Sequence, residues 1–247
     1  MYRFFAKPTG SVIRLSDEDA AHIRSLRLRP SELFIVCDGD GRDYICNLAE
    51  SQSFSGSSEK HSETYAEIVG DKPTSGEPAL SCTAFIALAK GDRLDYAVQK
   101  SVELGARAIV LFQSQRCIAS SGNIVKKTER LQRIALEAAK QCGRGRVPDV
   151  TMADSYKDAI GQASQAELPL FFYESEEELT LREALESRAD ASTISIVTGP
   201  EGGFEEDEAA FARESGMLTV TLGPRVLRCE TAPVAALAAI MYHTGNF

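Results

Sequence analysis

The spacing of hydrophobic positions changes once along the chain. Up to about residue 70, short apolar runs such as ELFIVCD and DYICNLAE are separated by polar turns, and DGDGR between these two runs predicts a β-hairpin. A helical pattern, SDEDAAHIRSLRL, begins at Ser16, a residue type suited to the N-cap. The serine-rich stretch 51–63 contains few apolar residues and is predicted to be a polar loop. This part of the chain is therefore predicted to be a small β-rich domain.

After DKPTSGEP, which has the composition of a linker, strand-length apolar runs alternate with helical stretches. In DRLDYAVQKSVELGA, Leu94, Val98 and Val102 share one helical face, and Gly105 ends the helix. Such alternation predicts a mostly parallel sheet covered by helices, and we place the domain boundary between residues 72 and 73. The predicted strands are CTAFIALA, AIVLF, LPLFFYE, STISIVTG and LTVTLG.

Composition narrows the class of protein. Of 247 residues, 43% are hydrophobic and 26% are charged, as in ordinary globular proteins. No run approaches the ~20 apolar residues of a membrane span, and the N-terminus lacks the apolar stretch of a signal peptide, so we expect a cytoplasmic protein. The six cysteines are scattered without a C-x-x-C pair. We therefore expect reduced thiols, no disulfide framework and no metal.

The formal net charge of −9 argues against a protein that binds nucleic acid through its overall charge. The charges are unevenly distributed, however. Acids concentrate in ESEEELTLREALESRAD and FEEDEAAFARESG, whereas the first 29 residues and the segment QCGRGRVP are locally basic. A basic face on an acidic protein is therefore compatible with the sequence.

The first chemically unusual loop is TGPEGGF, which follows the predicted strand STISIV. Its glycines allow a ligand to approach the main chain closely. It matches neither the Walker A nor the dinucleotide-binding pattern, and the acids of EEDE oppose anion binding at the following helix. An uncharged adenosine or a ligand with a positive sulfonium fits better. Helix stabilisation by these acids is the alternative explanation.

The second unusual loop is LGPRVLRCET, between a predicted strand and the apolar final helix. Thr231 or Glu230 could cap that helix, and Pro233 is tolerated in its first turn. Capping does not explain Arg225 and Arg228. Their guanidinium groups suit a phosphate, a carboxylate or a developing oxyanion.

Together, TGPEGGF and LGPRVLRCETA resemble the SPOUT (α/β-knot) methyltransferases, and within them the 16S ribosomal RNA uridine N3-methyltransferase family. HIRSLRLRP, KGDRLDYAVQKSVELGA, SQRC and EAAKQCGRGRVP extend the resemblance over nearly the whole chain. It implies a PUA-like β-barrel RNA-binding domain in residues 1–72 and a SPOUT α/β domain with a C-terminal trefoil knot in 73–247. It also implies S-adenosylmethionine as cofactor, 16S rRNA or the small ribosomal subunit as substrate, and a homodimer.

The resemblance further implies roles for individual residues. Arg228 is the first candidate and Arg225 the second for a cationic clamp on the negative charge that develops on the uracil. Glu201 and Glu230 are the acid–base candidates, although Glu230 could instead orient Arg228 or act as a first-turn helix acid. The implied cofactor-binding residues are Phe172, Thr198, Gly199, Pro200, Glu201, Gly202, Gly203, Leu222, Gly223, Val226, Leu227, Arg228, Thr231 and Ala232.

RNA contacts are expected in the locally basic segments. The candidates are Arg3, His22, Arg24, Arg27, Arg29, Arg144 and Arg146. A solvated helix face is the alternative for Arg24, Arg27 and Arg29, and a subunit interface is the alternative for Arg144 and Arg146. The apolar face of VAALAAIMY could pack against a second copy or inside its own domain. Ribose 2′-O-methylation of RNA and a non-enzymatic role in ribosome assembly are the competing functions.

Overall fold

The computed structural model describes residues 1–49, 63–118, 124–176 and 178–247, so the predicted polar loop lies almost entirely outside the described residues. The chain forms two compact units. The N-terminal unit combines Met1–Glu77 with Ala139–Val147, and the C-terminal unit combines Pro78–Ala138 with Pro148–Phe247. Nothing in the hydrophobic pattern indicates that 139–147 belongs with the first unit, and the boundary at 72/73 stays a prediction.

The N-terminal unit is built on a mixed sheet with the strand order β1-β4-β5-β6-β3-β2. β1 and β4 pair parallel, and the other neighbours pair antiparallel, including the predicted hairpin β4–β5. Ser16 caps α1 as predicted, because its hydroxyl accepts a hydrogen bond from the amide of Asp19 at 3.0 Å. The described elements are β1 (Arg3–Phe5), β2 (Pro8–Thr9), β3 (Val12–Arg14), α1 (Asp17–Leu26), β4 (Phe34–Cys37), β5 (Arg42–Leu48) and β6 (Tyr65–Pro73).

Residues 139–147 join this unit through charge-assisted hydrogen bonds. The Glu77 carboxylate accepts from the Arg144 guanidinium at 2.8 Å and from the amides of Gly145 and Arg146 at 2.9 and 3.1 Å. Lys140 donates to Asp19 at 3.0 Å. One carboxylate thus binds three donors from a single tight turn, which fixes the path of the chain there.

A further ion pair, between Arg3 and Asp43, lies inside the unit. Arg3 donates two hydrogen bonds to Asp43 at 2.6 and 2.7 Å, and the Thr74 hydroxyl donates a third at 2.8 Å. The side chains of Arg3 and Asp43 are only 9% and 1% exposed. Burial by itself raises the pKa of Asp43, but these hydrogen bonds and the Arg3 charge outweigh it and hold the pKa below its usual range.

Asp43→Asn should therefore destabilise the N-terminal unit by about 3 kcal/mol at pH 7, because Arg3 would remain buried without a counter-charge. A carboxyl group with a lowered pKa in the folded state stabilises fully above its unfolded pKa of about 3.9 and loses that contribution below it. The difference between variant and wild type should consequently shrink as the pH falls below that value. Hydrogen exchange of the β4 and β5 amides measures both effects.

Asp40→Asn is the matched control, since Asp40 pairs with Lys7 at the surface, where both side chains are well exposed. We expect no measurable change in the exchange of β4 and β5. Equal destabilisation by both variants, or an effect of Asp43→Asn that does not vary with pH, would contradict the assignment.

The C-terminal unit confirms the predicted parallel sheet. Its six described strands have the order β12-β10-β11-β7-β8-β9, and every neighbouring pair is parallel. Three elements, β9, α4 and α5, lie outside the predicted pattern. The described elements are β7 (Ser81–Ala87), α2 (Arg93–Glu103), β8 (Ala108–Phe112), α3 (Ile124–Cys142, whose last residues belong to the N-terminal unit), β9 (Asp149–Met152), α4 (Tyr156–Ala163), β10 (Leu168–Phe172), α5 (Leu181–Ser187), β11 (Thr193–Thr198), α6 (Glu206–Glu214), β12 (Leu218–Val220) and α7 (Thr231–His243).

An aromatic cluster fills the core on one side of this sheet. Phe204 is 2% exposed, its ring centroid lies 4.4 Å from that of Phe171, and it stacks parallel to Phe112 at 6.4 Å. Phe204 comes directly after the glycine loop that follows β11. The cluster therefore anchors the end of that loop in the core.

α7 packs against α2, β7 and β11 of its own unit. This favours the alternative of burial within the domain for its apolar face, whose buried residues are Pro233, Ala236, Leu237, Ile240 and Met241. Among the described helices, none is long and apolar enough to cross a membrane. The trefoil knot implied by the resemblance stays a prediction.

Candidate functional site

A cavity of about 1020 Å³ lies at the edge of the parallel sheet where the strands have their carboxyl ends. The loops after β10, β11 and β12 surround it, and Arg93 at the start of α2 completes the wall. The two unusual loops of the sequence, 199–203 and 222–230, thus face one space. All but one of the predicted cofactor-binding residues line this cavity: Phe172, Thr198, Gly199, Pro200, Glu201, Gly202, Gly203, Leu222, Gly223, Val226, Leu227, Arg228 and Ala232.

The first glycine loop needs a residue without a side chain at Gly203. Its φ of +69° lies in the left-handed region, and a Cβ there would lie 1.8 Å from Oε1 of Glu174. Arg116 holds the loop from outside by donating to the carbonyl of Gly202 at 3.0 Å and to the Glu205 carboxylate at 2.7 Å. The close approach of Glu174 brings a carboxylate directly over the loop backbone.

The acids at the start of α6 do not line the cavity. Glu205 and Glu208 form a capping box, and the buried Glu208 carboxylate also accepts from the amide of Gln115 at 3.0 Å. They thus stabilise the helix, as the alternative explanation proposed. Because these carboxylates lie outside the cavity lining, they are not an argument against an anion in the cavity itself.

Glu201 binds a cation that sequence reasoning did not identify. Its Oε1 accepts from the Arg93 guanidinium at 2.7 Å and from the amide of Lys90 at 3.0 Å. Burial tends to raise the pKa of Glu201, but these two donors outweigh it and hold the pKa below its ordinary value. A carboxylate stabilised in this way is a weak base, so the geometry favours a positioning role for Glu201 over proton transfer.

The charge of Arg93 destabilises α2. Arg93 is the first residue of α2, where a positive charge opposes the helix dipole, and Asp92 before it makes no capping hydrogen bond through its side chain. The carboxylates of Glu201 at 2.7 Å and Glu230 at 3.9 Å provide the compensating charge. Arg93 therefore links the two cavity loops. The visible signal in the sequence is a cation in KGDRLDY where a first-turn acid would be favoured.

The second loop places its arginines in solvent at the cavity rim. Arg225 and Arg228 are exposed, Arg228 by 81%, and Nη1 of Arg228 lies 4.0 Å from Oε1 of Glu230. The Cys229 thiol donates to the other Glu230 oxygen at 3.3 Å, and burial followed by this carboxylate raises the pKa of Cys229 to about 12. The thiol therefore stays protonated, and the Arg228 guanidinium is accessible to a ligand.

Glu230 was one of two candidates for capping α7 with its side chain, and the structure shows that it does not do so. It occupies the N-cap position with αR backbone angles and makes no side-chain capping hydrogen bond, because its carboxylate turns towards Cys229 and the arginines. Thr231 is exposed and lies outside the cavity lining. Sequence reasoning also missed lining residues that come from three separate segments: Arg93, Glu176, Thr180 and Thr221.

The structure buries two of the arginines that were expected to contact RNA. Arg3 is engaged by Asp43 and Arg144 by Glu77, and each of these arginine side chains is less than a tenth exposed. Both charges are neutralised by carboxylates of the same unit, which argues against a contact with phosphate. By contrast, the other candidates remain accessible. His22, Arg24, Arg27 and Arg29 are exposed, and Arg146 is half-buried.

Comparisons with known proteins agree with this arrangement. The model of an RNA methyltransferase domain matches residues 76–241, and that of an RNA methyltransferase PUA domain matches residues 15–53. The protein named ribosomal RNA small subunit methyltransferase E in Bacillus subtilis is 34% identical over 99% of this chain and 97% of its own. The chain belongs to this RNA methyltransferase family.

Solved structures extend the comparison. A ribosomal RNA small subunit methyltransferase E from Neisseria gonorrhoeae bound to S-adenosyl methionine matches with a TM-score of 0.81 and 32% identity over 98% of this chain and 97% of its own. A putative methyltransferase from Legionella pneumophila with bound SAM matches with a TM-score of 0.84 and 25% identity, with the same coverage. The family's two-domain fold is therefore that of this chain.

Proposed function

We propose that this protein transfers the methyl group of S-adenosylmethionine to N3 of a uridine in small-subunit ribosomal RNA. The observation that carries the proposal is the single cavity shared by the glycine loop 199–203 and the arginine-bearing loop 222–230. The names of the relatives support small-subunit ribosomal RNA as the substrate, and the Neisseria structure supports the cofactor.

The residues present fit the cofactor. The cavity volume of about 1020 Å³ is at the upper end of the range for small-molecule sites. Two of its oxygens, Thr198 Oγ1 and Glu201 Oε2, are buried without a hydrogen-bond partner. The carboxylates of Glu174 and Glu176 add negative charge to the lining, which suits a ligand with a sulfonium and an ammonium group. Adenosine hydroxyls and main-chain amides would complete the polar contacts.

The chemistry requires the uridine to lose its N3 proton, after which negative charge spreads to the flanking carbonyl oxygens. When bound, S-adenosylmethionine supplies an electrophilic methyl group. Arg228 is the group we assign to the developing oxyanion, because its exposed guanidinium stands at the rim of the cavity. Arg225, on the same exposed loop, is the second candidate. Orientation of the uracil and removal of its proton remain the tasks of this chain's own side chains.

We assign the proton acceptor to Glu230 and a positioning role to Glu201. Both arginines near Glu230 lie at 3.9 and 4.0 Å, beyond hydrogen-bond distance, whereas Glu201 is tightly bound by Arg93 and Lys90. The Glu230 carboxylate thus keeps capacity to accept a proton at the rim where Arg228 would meet the substrate. It orients Arg228 by the same contact.

Paired substitutions test this division. Glu230→Gln should lower the rate of methyl transfer about a hundredfold, with an unchanged cofactor Kd and a residual rate that rises with pH as solvent base replaces the side chain. Glu201→Gln should instead weaken cofactor binding about three- to tenfold, because it loses the charge that holds Arg93 between the loops. Calorimetry and single-turnover kinetics separate the two effects. The opposite pattern would exchange the roles.

Further parts of the proposal concern the rest of the molecule. We infer that residues 1–72 form an RNA-binding domain, supported by the PUA domain match and the exposed His22, Arg24, Arg27 and Arg29.

We also propose that the protein is a homodimer and that it is located in the cytoplasm. The proposed substrate supports that location, and Tyr242, 80% exposed on α7, is a candidate contact for a second copy.

The direct test measures transfer of a labelled methyl group from S-adenosylmethionine to small ribosomal subunits that lack their native modifications. Nucleoside mass spectrometry then identifies the product. N3-methyluridine is the expected result. Methylation of a ribose 2′-hydroxyl would overturn the proposed atom and retain the cofactor, whereas no transfer to subunits or to naked rRNA would favour a scaffold role.

A further inference from the structure

A second, smaller cavity of about 310 Å³ lies beside the first. Its walls come from the turn that joins β7 to α2 and from the first turns of α3. The turn follows the carboxyl end of β7, so this cavity opens at the same edge of the sheet as the first. The charged residues that line it are Lys90, Asp92, Lys127 and Arg130.

The two cavities differ in charge. In the second, three cations face one lining carboxylate, and Asp95, which pairs with Arg130, adds one more negative charge. These five side chains carry a net charge of +1, whereas the whole chain has a net charge of −9. The first cavity, by contrast, is lined by four carboxylates and three arginines. An anion is therefore favoured in the second cavity, and its small volume suits a phosphate group better than a whole nucleotide.

One turn of the chain separates the cavities. The amide of Lys90 donates to Glu201 in the wall of the first cavity, whereas Lys90 itself lines the second. Three residues later, Arg93 returns to the first cavity and binds the same carboxylate. A nucleotide whose base enters the first cavity carries a phosphodiester on each side of its ribose. The second cavity lies where one of these phosphates can be received.

We propose that the second cavity binds a backbone phosphate next to the methylated nucleotide, with Lys90 and Lys127 as the principal cations. The inference rests on the proposed function, since it assumes an RNA substrate at the first cavity. The chemistry recognised is a phosphate oxyanion, for which the ammonium groups of lysine are suitable partners. Phosphate contacts of this kind position a substrate without reading its sequence.

The double variant Lys90→Gln/Lys127→Gln tests the proposal in the full-length protein. Both backbone amides are retained, so the Lys90 hydrogen bond to Glu201 is preserved. We expect the KM for undermodified small subunits to rise about tenfold, with kcat at saturation and the Kd for S-adenosylmethionine unchanged. The slope of log KM against log salt should become shallower by about one.

Arg107→Gln/Arg188→Gln is the matched control. Both side chains are exposed, and both residues precede the amino end of a strand, at the opposite edge of the sheet: Arg107 comes directly before β8, and Arg188 lies in the connection from α5 to β11. This variant removes the same charge and should leave the KM unchanged. An equal rise in KM for both double variants would reduce the effect to net charge and overturn the proposal, as would an unchanged KM for Lys90→Gln/Lys127→Gln.

Two further measurements separate the remaining cases. Calorimetric titration of the protein with inorganic phosphate should show no more than millimolar affinity. If phosphate instead binds tightly, and the lysine variant loses this binding while its KM for subunits stays unchanged, the cavity is a site for free phosphate. That result would overturn the RNA assignment. Cosedimentation with small subunits measures binding without turnover. Weaker cosedimentation of the lysine variant supports the phosphate site even if the wild type transfers no methyl group, which would count against the proposed function alone.

Discussion

Arg228→Ala should lower the rate of methyl transfer to small subunits by about 10²–10³-fold, the usual loss when one donor to a developing oxyanion is removed. The Arg228 guanidinium is 81% exposed, and its nearest acid, Glu230, is 4.0 Å away. The side chain therefore supports no internal packing, and the fold should remain intact. Because the charge that it stabilises develops during the reaction, the Kd for S-adenosylmethionine should change by less than about threefold.

Arg225→Ala is the control on the same loop. It removes another exposed guanidinium three positions earlier, and we expect a rate within about threefold of the wild type. Single-turnover transfer at saturating cofactor measures both variants. A full rate for Arg228→Ala would exclude it as the clamp. A loss confined to Arg225→Ala would transfer the role to that residue.

Phe204→Ala should destabilise the C-terminal unit by about 3–5 kcal/mol, the range for removing a fully buried aromatic side chain. The ring centroids of Phe204 and Phe171 lie 4.4 Å apart, and Phe204 is the residue directly after the first glycine loop. A Cβ at Gly199 would lie only 3.0 Å from this ring, so the ring also packs closely against the backbone of the loop. Cofactor binding should weaken together with stability.

Hydrogen exchange of the β10 and β11 amides measures the stability of the unit. Calorimetric titration with S-adenosylmethionine measures the Kd of the cofactor, which reports on the glycine loop. Phe211→Ala provides the comparison, because Phe211 is only partly buried against the same cluster. Its effect should be clearly smaller. Phe204→Leu, which retains most of the apolar volume, keeps the test informative if the alanine variant does not fold. A stable Phe204→Ala protein with unchanged cofactor binding would remove the proposed support.

Ion pairs between distant segments explain most differences between prediction and structure. Arg3 and Arg144 look like RNA-binding residues in the sequence, because nothing nearby reveals that Asp43 and Glu77 will enclose them. The same holds for Arg93 and Glu201, which are separated by 108 positions. A charged residue in a sequence has no visible partner until folding supplies one. Which charges remain on the surface therefore depends on the tertiary structure.

The sequence by itself determined the features that depend on local order. Hydrophobic periodicity identified five of the six described strands of the parallel sheet, all except β9, and the hairpin at DGDGR, and Ser16 identified the start of α1. The glycine and arginine loops indicated the family and most of the cavity lining, because each loop is a contiguous segment next to a strand end. Local sequence encodes such elements directly.

Only the tertiary structure decided which segments meet. It joined 139–147 to the N-terminal unit, turned Glu230 from a helix cap into a neighbour of two arginines, and placed Arg93 between the two cavity loops. It also divided the cations at the sheet edge between two cavities of different charge. The physical reason is that pairing and burial depend on distances in space between residues far apart in the chain, which neither periodicity nor motif spacing specifies.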